Sequence, residues 1–267
     1  MASGTFVEAL LTAESALIIV LHPLLYYVFF STAARIWNGA STVTVAGNYH
    51  MEKLNEKVAS ASLVARERRR TLTSAVVDGV WGVWMLWMCR QRLAASPATG
   101  AAWWFGASDG VIAAILRHAF HGIVYVYWME LHFYATHRLL HVGPLFKYVH
   151  YAHHESYNPG PWSSCSFHPV EAAIFFSGYL AYLFLDFSPF LLAAIKVSTV
   201  AGTLHGHIGY SPAEGSGDYY GHEFHFLHHT HKDCNYGAYP TGLIDRLMGT
   251  ERLPRRARFC GGGKKGD

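Results

Sequence analysis

The sequence predicts an all-α integral membrane protein: about three transmembrane helices, a broken helical hairpin and a histidine-rich helical cap. Three observations carry that prediction. Charged residues are only 15% of the 267, against about 25% in soluble domains. Long stretches pass with one charge or none. Eighteen histidines equal the number of Asp and Glu together, and 14 of them lie between His132 and His231. The composition excludes disorder, which needs low hydrophobicity and high charge. The four cysteines, Cys89, Cys165, Cys234 and Cys260, are far apart and make no disulfide framework. A net charge of +3 is too small to argue for nucleic acid.

The first span lies between Glu14 and Arg35, where twenty residues carry no charge; as a helix they cover about 30 Å, one hydrocarbon core. No Lys or Arg precedes it, so it does not read as a cleaved signal peptide. The second runs from Thr71 to Cys89 with only Asp78 charged, and the third from Gly110 to Met129 with only Arg117 charged. The fourth apolar region, Ala172 to His205, has 34 residues, about 50 Å as a helix and too long for one straight crossing. Pro189, after Asp186, breaks helical hydrogen bonding there, and a hairpin returns both ends to one face. Residues 1–34 hold no Lys or Arg, whereas Arg35 to Arg70 holds seven. The positive-inside rule therefore puts that loop in the cytosol, with the Arg66–Arg70 run as a solvated anchor and Trp103, Trp104 and Phe105 as interfacial aromatics across the membrane. The organisation expected is residues 1–109 as membrane spans with a basic loop, 110–252 as a catalytic domain and 253–267 as a basic Gly-rich tail.

The histidines fall into spaced groups. His137 and His141 are four apart; His150, His153 and His154 form H-x-x-H-H, and His225, His228 and His229 repeat it 75 residues later. On helices these spacings put imidazoles on one face. His207 ends the hairpin and makes nine. One metal takes three or four protein ligands, so nine imply two metals, and imidazole suits Fe, Zn, Cu or Ni. The zinc-protease pattern H-E-x-x-H is absent. For early and late groups to share a metal pair both must lie on one side of the bilayer, which the hairpin allows. Glu130, Tyr134, His137 and His141 share a helical stripe. Glu130 is placed either to accept the outer N–H of a ligating histidine or to snorkel to the interface. His168-Pro169-Val-Glu171 reads as an ordinary helix start. His22, His50, His118 and His121 have no partners in these groups.

These residues resemble the fatty acid hydroxylase and sterol desaturase superfamily of membrane di-iron oxygenases. The resemblance rests on Tyr134-x-x-His137-Arg-x-x-His141, the two H-x-x-H-H groups, Tyr157-Asn-Pro-Gly-Pro-Trp162, Asn235-Tyr236-Gly237 and Asp245-x-Leu247-x-Gly249-Thr250. It implies two non-haem iron ions, O2 as co-substrate, and C–H cleavage in a membrane lipid ending in hydroxylation or desaturation. Pro159-Gly-Pro-Trp162 is similar to sterol C5-desaturases and His207-Ile-Gly-Tyr210 to methylsterol oxidases, so sterol chemistry is expected. Fatty acid, sphingolipid or alkylglycerol hydroxylation is the alternative, and a metal transporter or an inactive scaffold the alternative of another class. With no dinucleotide fingerprint in the chain, the resemblance implies electrons from an NAD(P)H reductase and a b-type cytochrome in the same membrane. Lys264 and Lys265 resemble a dilysine retrieval signal and point to the endoplasmic reticulum, with a cytosolic active site and C-terminus.

Overall fold

The computed structural model describes residues 5–37, 42–45, 49–54, 57, 59–95, 110–185, 188–212, 222–237 and 242–253. Asp186, the aromatics at 103–105, the lysines at 264 and 265 and the side chains of His50 and His222 lie outside that description. A short α1 (Phe6–Leu10) precedes α2 (Ala13–Trp37), α3 (Ala61–Ala95) and α4 (Val111–Leu140). These last three are long and apolar enough to cross a membrane. Their outward faces fit lipid: Val20, Leu25, Ile115 and Leu116 are each more than half exposed.

The 35 residues of α3 reach about 52 Å, some 20 Å beyond a hydrocarbon core. The first turns of the helix therefore project from the membrane, and the basic run expected in a loop is helical. Arg66 and Arg70 are also more than anchors. They pair with Glu155 at 3.0 and 2.6 Å, and Arg70 donates to the Ala152 carbonyl at 2.9 Å. The second histidine group is thereby clasped to a membrane span. That group begins at the last residue of a π-helical turn, Phe146–His150, and continues into α5 (Tyr151–His154).

The hairpin consists of α6 (Pro169–Phe176), a 3-10 segment (Ser177–Leu183) and α7 (Pro189–His207). His168 caps α6, accepting from Val170 N at 3.2 Å, and Ser188 caps α7 through Leu191 N at 3.2 Å. Pro189 begins a helix, where its missing N–H costs nothing. Both limbs end beside the histidines. Cysteines replacing the exposed Tyr157 and Thr230 should accordingly react with an impermeant thiol reagent from one side of the membrane. Labelling from opposite sides would remove the hairpin.

A small sheet was not expected. β1 (Thr42–Val45) pairs antiparallel with β2 (Tyr49–Lys53), and β2 with β3 (Tyr210–Pro212), Lys53 opposite Tyr210. Thr-Val alternation suits a strand, but four residues are too short to stand out. The sheet ties the end of α7 to α2, and Tyr210 donates to the Trp37 carbonyl at 2.6 Å. Gly209, between α7 and β3, has φ +73°, and a Cβ there would stand 2.9 Å from the Pro159 carbonyl oxygen. The last helices are α8 (His222–His231) and α9 (Leu243–Met248).

Candidate metal centre

The eight histidines expected from spacing and His207, expected at the end of the hairpin, come together from the end of α4, the π-helical turn, α5, the end of α7 and α8. They do so as two groups: His137, His141, His150, His154 and His228 in one, and His153, His207, His225 and His229 in the other. Within each group one ring nitrogen per residue lies within 4.8 Å of all the others. Each H-x-x-H-H motif is divided between the two. His150 and His154, four apart, serve the first group while His153 turns to the second; His225 and His229 serve the second while His228 turns to the first. A difference of one residue is about 100° around a helix, enough to send neighbouring imidazoles to different centres.

The spacing of the nitrogens fits metal coordination. Nε2 of His150 is 3.1 Å from Nε2 of His137 and of His154, and Nε2 of His228 is 3.1 Å from those of His154 and His141. In the second group Nε2 of His207 lies 3.2–3.3 Å from those of His153, His225 and His229. Metal–nitrogen bonds of about 2.0–2.1 Å at right angles place two nitrogens about 3 Å apart. Two adjacent all-imidazole pockets can therefore each hold a metal ion.

Orientation comes from the opposite ring nitrogen. Nδ1 of His137 donates to the Tyr236 carbonyl at 2.7 Å, that of His228 to the Cys234 carbonyl at 2.6 Å, and that of His207 to the Thr203 carbonyl at 2.6 Å. His150 Nδ1 donates to Glu171 Oε1 at 2.8 Å. Each of these bonds leaves Nε2 as the bare lone pair facing its group. Burial and the neighbouring imidazoles disfavour protonation: His141 is pushed down to about 3, and His150, His153, His154, His225, His228 and His229 lie well below the usual histidine range. The rings are neutral donors at neutral pH.

The stripe on α4 behaves differently from expectation. Glu130 Oε1 accepts from the Leu243 backbone N at 3.0 Å and so tethers α9, while the carboxylate acceptor for a cluster histidine is Glu171. Glu171 looked like an ordinary first-turn acid; its burial at 3% exposed is what sequence could not show. Tyr134 stands one layer farther out. Its hydroxyl is 3.2 Å from Thr250 Oγ1 and accepts from Arg138 at 2.7 Å, and its ring packs edge-on against Tyr236.

The Asn235-Tyr236-Gly237 segment has a physical task as well. Asn235 adopts φ 55°, and its buried amide donates to the Phe224 and Arg252 carbonyls, both at 2.9 Å. Asp245 accepts from the backbone N–H groups of Tyr236 and Gly237 at 2.8 and 2.6 Å. Together they fix the Cys234 and Tyr236 carbonyls that orient His228 and His137. His168 serves as a helix cap and His205 lines the cavity above; neither belongs to the two groups.

That cavity has a volume of about 500 Å³, within the usual range for ligand sites. One end is formed by His137, His150, His153, His207 and His225, and the remainder is largely apolar, with Met129, Phe133, Phe167 and Phe175.

Residues 122–250 match the family model described as fatty acid hydroxylase. A Delta(7)-sterol 5(6)-desaturase of Gibberella zeae is 31% identical over 145 residues, 49% of this chain and 42% of that protein. The corresponding desaturase of Nicotiana tabacum is 28% identical over 52% of each chain. Methylsterol monooxygenase 1 of Gallus gallus is 32% identical over 44% of this chain and 41% of its own. The match thus spans about half or less of each relative. No solved structure matches. Motif spacing, the paired histidine groups and these matches agree, and residues 122–250 belong to the fatty acid hydroxylase/sterol desaturase superfamily.

Proposed function

We propose that this chain is an O2-dependent membrane oxidoreductase that desaturates or hydroxylates a sterol, with two iron ions held by His137, His141, His150, His154 and His228 and by His153, His207, His225 and His229. The observation that carries the reading is the convergence of nine neutral imidazoles on two adjacent centres at the end of an apolar cavity. When bound, a pair of irons supplies the means to reduce O2 and to attack an unactivated C–H bond. The chain supplies the geometry. Glu171 and the carbonyls of Thr203, Cys234 and Tyr236 hold four of the rings in place, and the apolar cavity walls keep water from the reacting carbon. Desaturation takes two hydrogens from adjacent carbons, with two protons and two electrons, and reduces O2 to two waters. Hydroxylation leaves one oxygen on carbon and the other in water.

The electrons come from outside the chain, in our reading from an NAD(P)H reductase and a b-type cytochrome in the same membrane. The basic residues between Arg35 and Arg70 favour a cytosolic centre on the endoplasmic reticulum. Sterol as substrate is favoured by the relatives, a Delta(7)-sterol 5(6)-desaturase and a methylsterol monooxygenase. Expression in a host lacking its own Delta(7)-sterol 5(6)-desaturase should restore the 5,7-diene sterol. Accumulated methylsterol disappearing instead, in a host lacking that oxidase, would assign the second chemistry. An unchanged sterol profile in both hosts would sink the sterol reading.

Glu171→Gln offers a finer test. The amide keeps the shape but loses the carboxylate that holds His150, so metal affinity should fall about 10–100-fold, measured by chelator competition. Unaltered affinity would confine Glu171 to packing.

A further inference from the structure

The cavity is not closed all round. Its walls near the histidines, including Ser164, Phe167, Phe224 and Gly237, are buried, whereas exposed lining occurs at Val126 on α4 and at Ser198, Ala201 and Gly202 on α7. Val126 and Ser198 lie about 16 and 13 Å along their helices from His137 and His207, well inside the depth of the bilayer. The opening therefore faces lipid. What keeps it open is the size of the α7 residues. A Cβ on Gly202 would meet nothing within 4 Å, while one on Gly206, a turn closer to the centre, would stand 3.3 Å from His225. Gly206 is held against the cage and Gly202 borders empty space.

We propose that substrate reaches the centre sideways from the bilayer, through a portal between α4 and α7, and that Gly202 keeps this portal wide enough for a fused-ring lipid. The inference rests on the reading of the cavity as a lipid site. A sterol in the membrane is already desolvated, so a lateral path delivers it to the histidine end without crossing water. Rigid rings cannot thread a constriction by rotating single bonds as an acyl chain can, and so they need the unobstructed wall that Ser198, Ala201 and Gly202 provide.

A removable plug tests this. Gly202→Cys is made together with Cys260→Ser, since Cys89, Cys165 and Cys234 are buried. The iron-loaded protein is treated in lipid nanodiscs with a bulky, membrane-permeant methanethiosulfonate. Binding of dehydroergosterol, a fluorescent sterol, and of a fluorescent straight-chain ceramide is measured before treatment, after it, and after dithiothreitol. Modification should weaken sterol binding about tenfold or more, as overpacking a filled site does, with iron content unchanged and binding restored by the reductant. Unaltered binding of both lipids after modification would overturn the portal while leaving the proposed activity standing. Ceramide binding that is blocked by the plug, with no sterol binding at any stage, would keep the portal and remove the sterol reading. Failure of the unmodified protein to bind either lipid would overturn both.

Discussion

His228→Ala should yield a folded protein that has lost iron and activity together. His228 stands between His141 and His154 in the first group, 3.1 Å from each nitrogen, and its own Nδ1 is fixed by the Cys234 carbonyl. His137→Ala and His153→Ala should do the same, one in each group, because metal bound by a folded cage is lost when the cage opens. His22→Ala is the control. Its ring bonds the Ile18 carbonyl at 2.8 Å, far along the chain from either group, and metal content should be retained. Iron analysis and O2 uptake with an added reductant read both quantities. Full iron in His228→Ala, or loss of iron in His22→Ala, would overturn the assignment.

A second large effect is expected inside the membrane, from a contact that plays no part in the chemistry. Asp78 on α3 is 1% exposed. It accepts from Lys196 Nζ on α7 at 2.6 Å and from the Tyr26 hydroxyl on α2 at 3.0 Å. Lys196 Nζ also lies over the Tyr179 ring at 4.8 Å. Three membrane elements thus meet at one ion pair. Asp78→Ala would strand the lysine among apolar helices, and breaking such a pair costs about 3–5 kcal/mol against a total stability of about 5–15 kcal/mol. Thermal unfolding in detergent should show a marked loss of stability. The double variant Asp78→Leu/Lys196→Met should recover most of it, since replacing both charges by apolar groups is often neutral. Equal damage in single and double variants would mean that the charges themselves matter little.

Neither residue stood out beforehand for this partnership. Asp78 was visible as the single charge in a span, but its partner lies 118 positions away and only the folded hairpin brings it near. The same applies to Glu155 and its two arginines, and to Glu171 with His150. Each is a contact between elements, and sequence periodicity reports on one element at a time.

What local pattern determined on its own was substantial. Charge depletion over helical lengths marked the spans; Pro189 marked the break that makes a hairpin; and the three- and four-residue spacings picked out eight of the nine histidines, with His207 marked by its place at the hairpin's end. These features are legible because a helix repeats every 3.6 residues whatever surrounds it. Tertiary structure decided how the nine divide into five and four, which acid steadies His150, why Asn235 and Asp245 matter to His137 and His228, and where the cavity opens. Those outcomes depend on the relative rotation and depth of helices packed against one another, which side chains far apart in sequence settle together.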